Sequence, residues 1–131
     1  MNNSVIQVVG NVATEVRFNT TAEGIPVANF RLAATERKFD KETSRWVDGE
    51  VNWYTVSCWR ALAENVAASI QKGDPIFVTG RLNVRTWERD DRSGTTLDVT
   101  ADVVGHDLSR GTSVFKRTSK AGAQEFGITA A

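Results

Sequence analysis

The chain has 131 residues, 40% of them hydrophobic, and carries 16 Lys+Arg against 16 Asp+Glu. That length suits one domain at the usual ~100–200 residues, and the zero net charge excludes a globally basic surface that attracts nucleic acid by charge alone. No apolar run approaches the ~18 residues of a membrane span. The start, MNNSVIQVVG, lacks the basic and continuously apolar regions of a secretory signal. The single cysteine, Cys58, allows no internal disulfide, so a reducing cytoplasm is the expected home.

Apolar residues recur mostly with a period of two, which predicts a small all-β domain. Ser4 to Val12 alternates around Val5, Ile6, Val8 and Val9 and predicts a first strand, with Gly10 as its candidate bulge. A short extended piece, Glu15 to Asn19, leads into a turn at Thr20 to Gly24, and Pro26 to Glu36 predicts a second strand. Arg37 to Val51 is too polar for core and too long for a tight turn, so it reads as a protruding loop or hairpin. Asn52 to Arg60 predicts a third strand. Leu62, Ala63, Val66, Ala67 and Ile70 then fall at helical spacing, and the helix is expected to end at Lys72-Gly73, ahead of Pro75. Ile76 to Arg89 predicts a fourth strand, Asp90 to Gly94 a turn, and Thr95 to Val104 a fifth strand. Five strands with a helix between the third and fourth is the element order of the OB-fold, a five-stranded Greek-key barrel. That domain is expected over residues 1–108. Residues 109–131 turn to Ser, Gly, Thr, Ala and Lys, the composition of a flexible or partly ordered tail.

Side chains alternate across a strand, so odd and even positions form separate surfaces. The second strand sorts into Ala28, Phe30, Leu32 and Ala34 against Asn29, Arg31, Ala33, Thr35, Arg37 and Phe39. The third sorts into Tyr54, Val56 and Cys58 against Trp53, Thr55, Ser57 and Trp59. The fourth sets Ile76, Val78, Leu82 and Val84 against Phe77, Thr79, Arg81, Asn83, Arg85, Trp87 and Arg89. The odd face therefore interleaves aromatics with arginines and, in these three strands, holds no carboxylate; Glu36 and Glu88 are expected on the opposite parity, and Asp98 and Asp102 on the fifth strand's polar face. A slip at a bulge such as Gly80 would exchange the two sets. Exposed rings beside Arg and Thr suit a flexible single strand, whose bases stack while guanidinium groups follow the phosphates. Duplex DNA hides its bases in the stack.

Each residue has a plainer role as well. A tryptophan in a small domain is commonly core, and Trp46, among Lys41, Arg45 and Asp48, either stacks on a ligand or pins the hairpin. Arg31, Arg37, Arg81, Arg85 and Arg89 are phosphate ligands or a solvated face paired with residues such as Asp98. Cys58 is a small buried residue or an intersubunit redox link, since one cysteine per chain pairs only with its own copy. His106 is the lone histidine and no Ser/His/Asp set stands at a recognisable spacing, so no enzyme, metal or cofactor is expected.

VIQVVGNV, PVANFRLA, NWYTVSCWRALAENVA, KGDPIFVTGRLNVRTW and TLDVTADVVG, in this order and without large gaps, resemble the bacterial single-stranded DNA-binding proteins over about residues 1–108. FDKETSRWVDGE and RALAENVA look most like the actinobacterial branch. The resemblance implies an OB-fold subunit that forms a homotetramer, wraps single-stranded DNA and works in the cytoplasm with the nucleoid. It places stacking aromatics on Phe39, Trp53, Trp59 and Trp87 and basic contacts on Lys41, Lys72 and Arg85. The family usually has Trp where this chain has Phe39 and Phe where it has Trp59, exchanges that keep the ring. Asn83 and Thr86 stand where some relatives carry charge, so the family's affinity does not transfer. The family also tends to end in an acidic, hydrophobic tip that recruits replication and repair proteins. This sequence stops at QEFGITAA, so it looks like a tailless paralogue of which tip-recruited partners are not expected.

Overall fold

The computed structural model describes residues 4–118. Its elements are β1 (Ser4–Val12), β2 (Arg17–Thr20), β3 (Pro26–Asp40), β4 (Arg45–Trp59), α1 (Ala61–Ser69), β5 (Pro75–Arg89) and β6 (Arg92–His106). The sheet order is β1-β5-β6-β4-β3-β2, with a further β1–β3 pairing that closes the sheet on itself. The closed ring β1-β5-β6-β4-β3 is the OB-fold barrel, and β2 lies outside it on the edge of β3. Of the two forms expected for the polar stretch 37–51, loop or hairpin, it is the hairpin: β3 and β4 stay paired as far as Asp40 and Arg45.

Closure follows from the alternation. The even residues Ala28, Phe30 and Leu32 of β3, Val56 and Cys58 of β4, and Ile76 and Val78 of β5 all point inward, joined by Val8, Val12 and Val99. Val66 and Ala63 of α1, with Ile70 just beyond it, pack under the same core. Leu32 is fully buried with these residues, so an alanine there would cost the transfer and cavity energies typical of a core leucine.

Four local expectations are corrected. Gly10 carries no bulge: β1 pairs in regular register with β5 through Asn11. The glycine is needed because a Cβ would stand 2.5 Å from the Ala33 carbonyl oxygen, where β1 crosses from β5 to β3. The helix stops at Ser69, not at Lys72-Gly73, and Ile70 turns extended so that its side chain enters the core. Gly73, at φ +95°, serves the next turn instead, donating its N–H to the Val12 carbonyl. Finally, the β5–β6 turn is only Asp90-Asp91, since Arg89 already pairs with Arg92.

Two register shifts decide the faces. Thr35 pairs with Val51 but Arg37 with Asp48, so β4 holds one residue more than β3 over this stretch. Thr79 pairs with Val103 and Gly80 with Ala101, so Asp102 is extra in β6. Gly80 is therefore opposite a bulge, but the added residue belongs to β6, and β5 keeps its alternation to the hairpin tip.

Arg60, which joins β4 to α1, has φ 61° and ψ −130°, a region in which glycine is at home and a side chain is strained. Arg60→Gly is expected to raise stability by about 1 kcal/mol, strain relief outweighing the entropy of the added glycine. Urea unfolding of the two proteins checks this, and a lower midpoint for the glycine variant would contradict it.

Candidate nucleic-acid interface

Residues directly opposite in a ladder share a face, so the registers lay out the outer surface row by row. One row runs Arg17, Asn29, Ser57, Thr100 and Arg81 across β2, β3, β4, β6 and β5. The next runs Arg31, Thr55, Asp98 and Asn83. Ala33 and Trp53 lie beside it on β3 and β4, and Arg85 faces Thr96 on β5 and β6. The two hairpins carry the surface beyond the barrel, one with Phe39 and Trp46, the other with Trp87 and Arg89.

None of the aromatics chosen from the sequence is core. Phe39, Trp46, Trp53, Trp59 and Trp87 are between 42% and 62% exposed. Leaving five half-open rings in contact with water is unfavourable unless a ligand or partner covers them, and each presents a π-surface available for stacking.

The β4 bulge settles Trp46. Without the extra residue, its even number would turn it from Trp53; with it, Trp46 stands directly opposite Phe39. The rings meet edge to face, 5.4 Å between centroids at 67°. Thus Trp46 pins the hairpin and joins the aromatic face at once. Trp53 is supported differently, by the Arg31 guanidinium 5.2 Å from its ring centroid. Trp87 lies across the backbone of Gly94, its cross-strand partner. A Cβ at Gly94 would come within 2.5 Å of the Trp87 ring, so only glycine lets the indole lie flat there. Two grooves adjoin Trp87, one lined by Thr86, Glu88, Ser93 and Thr95 and the other by Arg89, Asp90, Asp91 and Arg92, so the carboxylates of the hairpin tip stand among its arginines.

The arginines are less free than the alternation alone implies. Arg85 Nε lies 2.6 Å from Asp98 Oδ2, Arg37 Nε 3.4 Å from Asp48 Oδ1, and an Arg81 terminal nitrogen 4.0 Å from Asp102. Asp98 stands on the polar side of β6 and pairs with an arginine as the plainer reading had it, whereas the expectation of a carboxylate-free face is corrected at Asp48, which the β4 bulge brings round to Arg37. Lys41 sits in the turn of the first hairpin, beside the aromatic pair. Lys72, by contrast, belongs to the turn after α1 and lies on no strand of this face. Two basic residues escaped the sequence reading. Arg17 was hidden because β2 is short and lacks alternation, although it is opposite Asn29; Arg60 adjoins Trp59 at the strand end.

Of the two readings of Cys58, a small buried residue or an intersubunit redox link, the fold supports the first. The side chain is fully buried, and burial pushes the thiol up to about 12. A covalent link to a second copy would first require this core position to open.

The fold also assembles a serine, a histidine and an aspartate that no sequence spacing had suggested. His106 Nε2 donates to Asp74 Oδ2 at 3.0 Å, and Ser113 Oγ lies 3.1 Å from Nδ1. Asp74 Oδ2 also accepts the Gln71 N–H. The three groups fasten the segment after β6 to the end of the barrel where β1 and β5 meet. Along that segment, the Ser109 hydroxyl and N–H hold the Asp107 carboxyl below its ordinary range. Among the described residues no group of three or more His, Cys, Asp or Glu could hold a metal ion, and no helix is long and apolar enough to cross a membrane.

Fold and surface together define the nucleic-acid-binding class of OB-fold barrels. Within that class, the chain belongs to the single-strand binding protein family, whose model matches residues 1–114. It is 52% identical over 119 residues to Single-stranded DNA-binding protein 2 of Streptomyces avermitilis, spanning 91% of this chain and 75% of that protein. It is 42% identical to the single-stranded DNA-binding protein of Corynebacterium glutamicum over 89% of this chain and 52% of that one. Among solved structures, the small single-stranded DNA-binding protein from Streptomyces coelicolor superposes with a TM-score of 0.77 at 48% identity, covering 85% of this chain and 100% of that one.

Native protein treated with iodoacetamide near pH 8 is expected to stay unmodified at Cys58 and to be alkylated once denatured. Intact mass with and without denaturant reads this directly. Rapid native labelling, or a covalent dimer on gels run without reductant, would show the thiol to be accessible.

Proposed function

We propose that this chain binds single-stranded DNA with little base preference. Bases stack on Phe39, Trp46, Trp53, Trp59 and Trp87, while Arg31, Arg37, Lys41, Lys72, Arg81, Arg85 and Arg89, with Arg17, neutralise phosphates. The observation that carries this reading is the half-exposure of all five aromatics on one outward surface that continues along both hairpins. Stacking contributes about 1–3 kcal/mol per base and tolerates any base, because every base has a π-face. Coating of this kind keeps a strand from re-annealing and from nucleases, a role suited to replication, repair, recombination or DNA uptake. The protein is a binding protein and not an enzyme, requires no cofactor, and works in the cytoplasm on the nucleoid. The binding domain ends near residue 108, soon after β6. The expectation about partners recruited through the C-terminal tip concerns residues that lie outside those described.

The functional unit in this reading is a homotetramer. Val9 of β1 and Val103 of β6 are 56% and 53% exposed on the outer side of the barrel. Val9 lies opposite Phe77 and Val103 opposite Thr79, two residues along β5, so the two valines and Phe77 make one apolar surface that association would remove from water, whereas Val5 lies opposite Arg81 at the end of the Arg17 row. Val9→Asp is expected to shift the mass in solution from tetramer to a smaller species, read by light scattering; an unchanged tetramer would place the contact elsewhere.

Titration with oligo(dT) is expected to quench tryptophan fluorescence strongly, while duplex of equal nucleotide count does not. Added salt should weaken binding with a log–log slope of about −0.7 per phosphate neutralised. Changing Trp53, Trp59 and Trp87 together to Ala is expected to cost at least ~100-fold in affinity. Equal quenching by duplex would refute the single-strand reading, tighter binding to oligo(U) would turn it toward RNA, and unchanged affinity of the triple variant would leave a structural subunit.

A further inference from the structure

Asp98 is the only carboxylate in the row that joins the Trp53 and Trp87 sides of the surface. Thr55 of β4 flanks it on one side and Asn83 of β5 on the other. Its side chain is 26% exposed, Oδ2 is 2.6 Å from Arg85 Nε, and Oδ1 is buried with no hydrogen-bond partner among the described residues. Arg85 is reached diagonally: it faces Thr96, two residues along from Asn83 on the same side of β5. The other two aspartates that meet arginines here, Asp48 and Asp102, are 74% and 55% exposed and stand farther off, at 3.4 and 4.0 Å.

We infer that Asp98 acts as a built-in competitor for the phosphate backbone, holding Arg85 and thereby setting how tightly and how salt-dependently the surface takes single-stranded DNA. The inference rests on the single-strand reading above. A carboxylate and a phosphodiester are both oxyanions that a guanidinium receives through the same N–H groups. A strand passing from Trp53 to Trp87 must therefore either draw Arg85 from Asp98, which leaves a half-buried carboxylate unpaired, or run past a carboxylate that repels it. Each route weakens binding, and neither occurs where an arginine stands alone. Exposed ion pairs are worth little because water screens them. This pair is short, its acid is mostly covered, and its second oxygen lacks compensation, so its electrostatic effect on an approaching anion is larger than that of Asp48 or Asp102.

The experiment is a salt titration of oligo(dT) binding to the full chain, wild type against Asp98→Asn, Arg85→Met and the double variant. Asp98→Asn keeps size and shape and removes the charge. It is expected to bind about 10-fold tighter, with a log–log salt slope steeper by about 0.7 for the one arginine released. The double variant is expected to bind no tighter than Arg85→Met alone, because the gain passes through Arg85. A residue that only braced the barrel would not improve binding when changed. Unchanged or weaker binding by a folded Asp98→Asn overturns the inference, as does a gain that survives Arg85→Met. If wild type fails to bind oligo(dT), the single-strand reading itself fails, which is a different result. Wild-type NMR needs no variant: the Arg85 Nε–H resonance should be protected from exchange in the free protein and shift when oligo(dT) is added. Rapid exchange in the free protein would overturn the inference.

Discussion

Each strand of this barrel gives alternate residues to the core, and that single constraint governs everything outside it. Leu32 cannot point inward unless Arg31 and Ala33 point outward, and the fully buried Val56 turns Thr55 and Ser57 to the surface in the same way. The apolar burial that closes the sheet thus also ranks the outward residues into rows. Rings and guanidinium groups are brought into line by the packing of side chains that never touch a ligand.

The same constraint makes bulges powerful. One extra residue in β4 turns Trp46 and Asp48 onto the surface of Phe39 and Arg37, and one in β6 lets Ala101 face Gly80 in the core while Val103 turns outward. Beyond each shift the strand continues unbroken but with its faces exchanged. Glycine is required where these changes bring chains close. At Gly10 the crossing strand, and at Gly94 the indole of Trp87, fill the space of a side chain. The long hairpins are therefore precise supports for aromatic rings, not loose arms.

Charge on the surface is organised by pairing more than by excess. Arginines stand out in the sequence, yet Arg85, Arg37 and Arg81 each meet an aspartate, and Arg31 leans on Trp53. A chain of zero net charge can present such a surface because the neutralising acids come from other strands or from bulged positions. The aromatic contacts are then the less compromised part of the interface, since stacking is unaffected by a nearby carboxylate to the degree that phosphate binding is.

Much of this was legible beforehand, because periodicity is local. The all-β class, the helix between the third and fourth barrel strands, the inward set from Ala28 to Leu32 and the outward Trp53, Trp59 and Trp87 all follow from residues two apart in one strand. The order of the motifs along the chain already carries the resemblance to the family. What the sequence could not carry were quantities defined between strands. The side taken by Trp46, the arrival of Asp98 between Thr55 and Asn83, the recruitment of Arg17 from a four-residue strand, the burial of Cys58 and the meeting of Asp74, His106 and Ser113 all depend on register and closure. Alternation within a strand is set by the geometry of the chain itself, whereas the partner opposite each residue is chosen only when the sheet closes and counts its bulges.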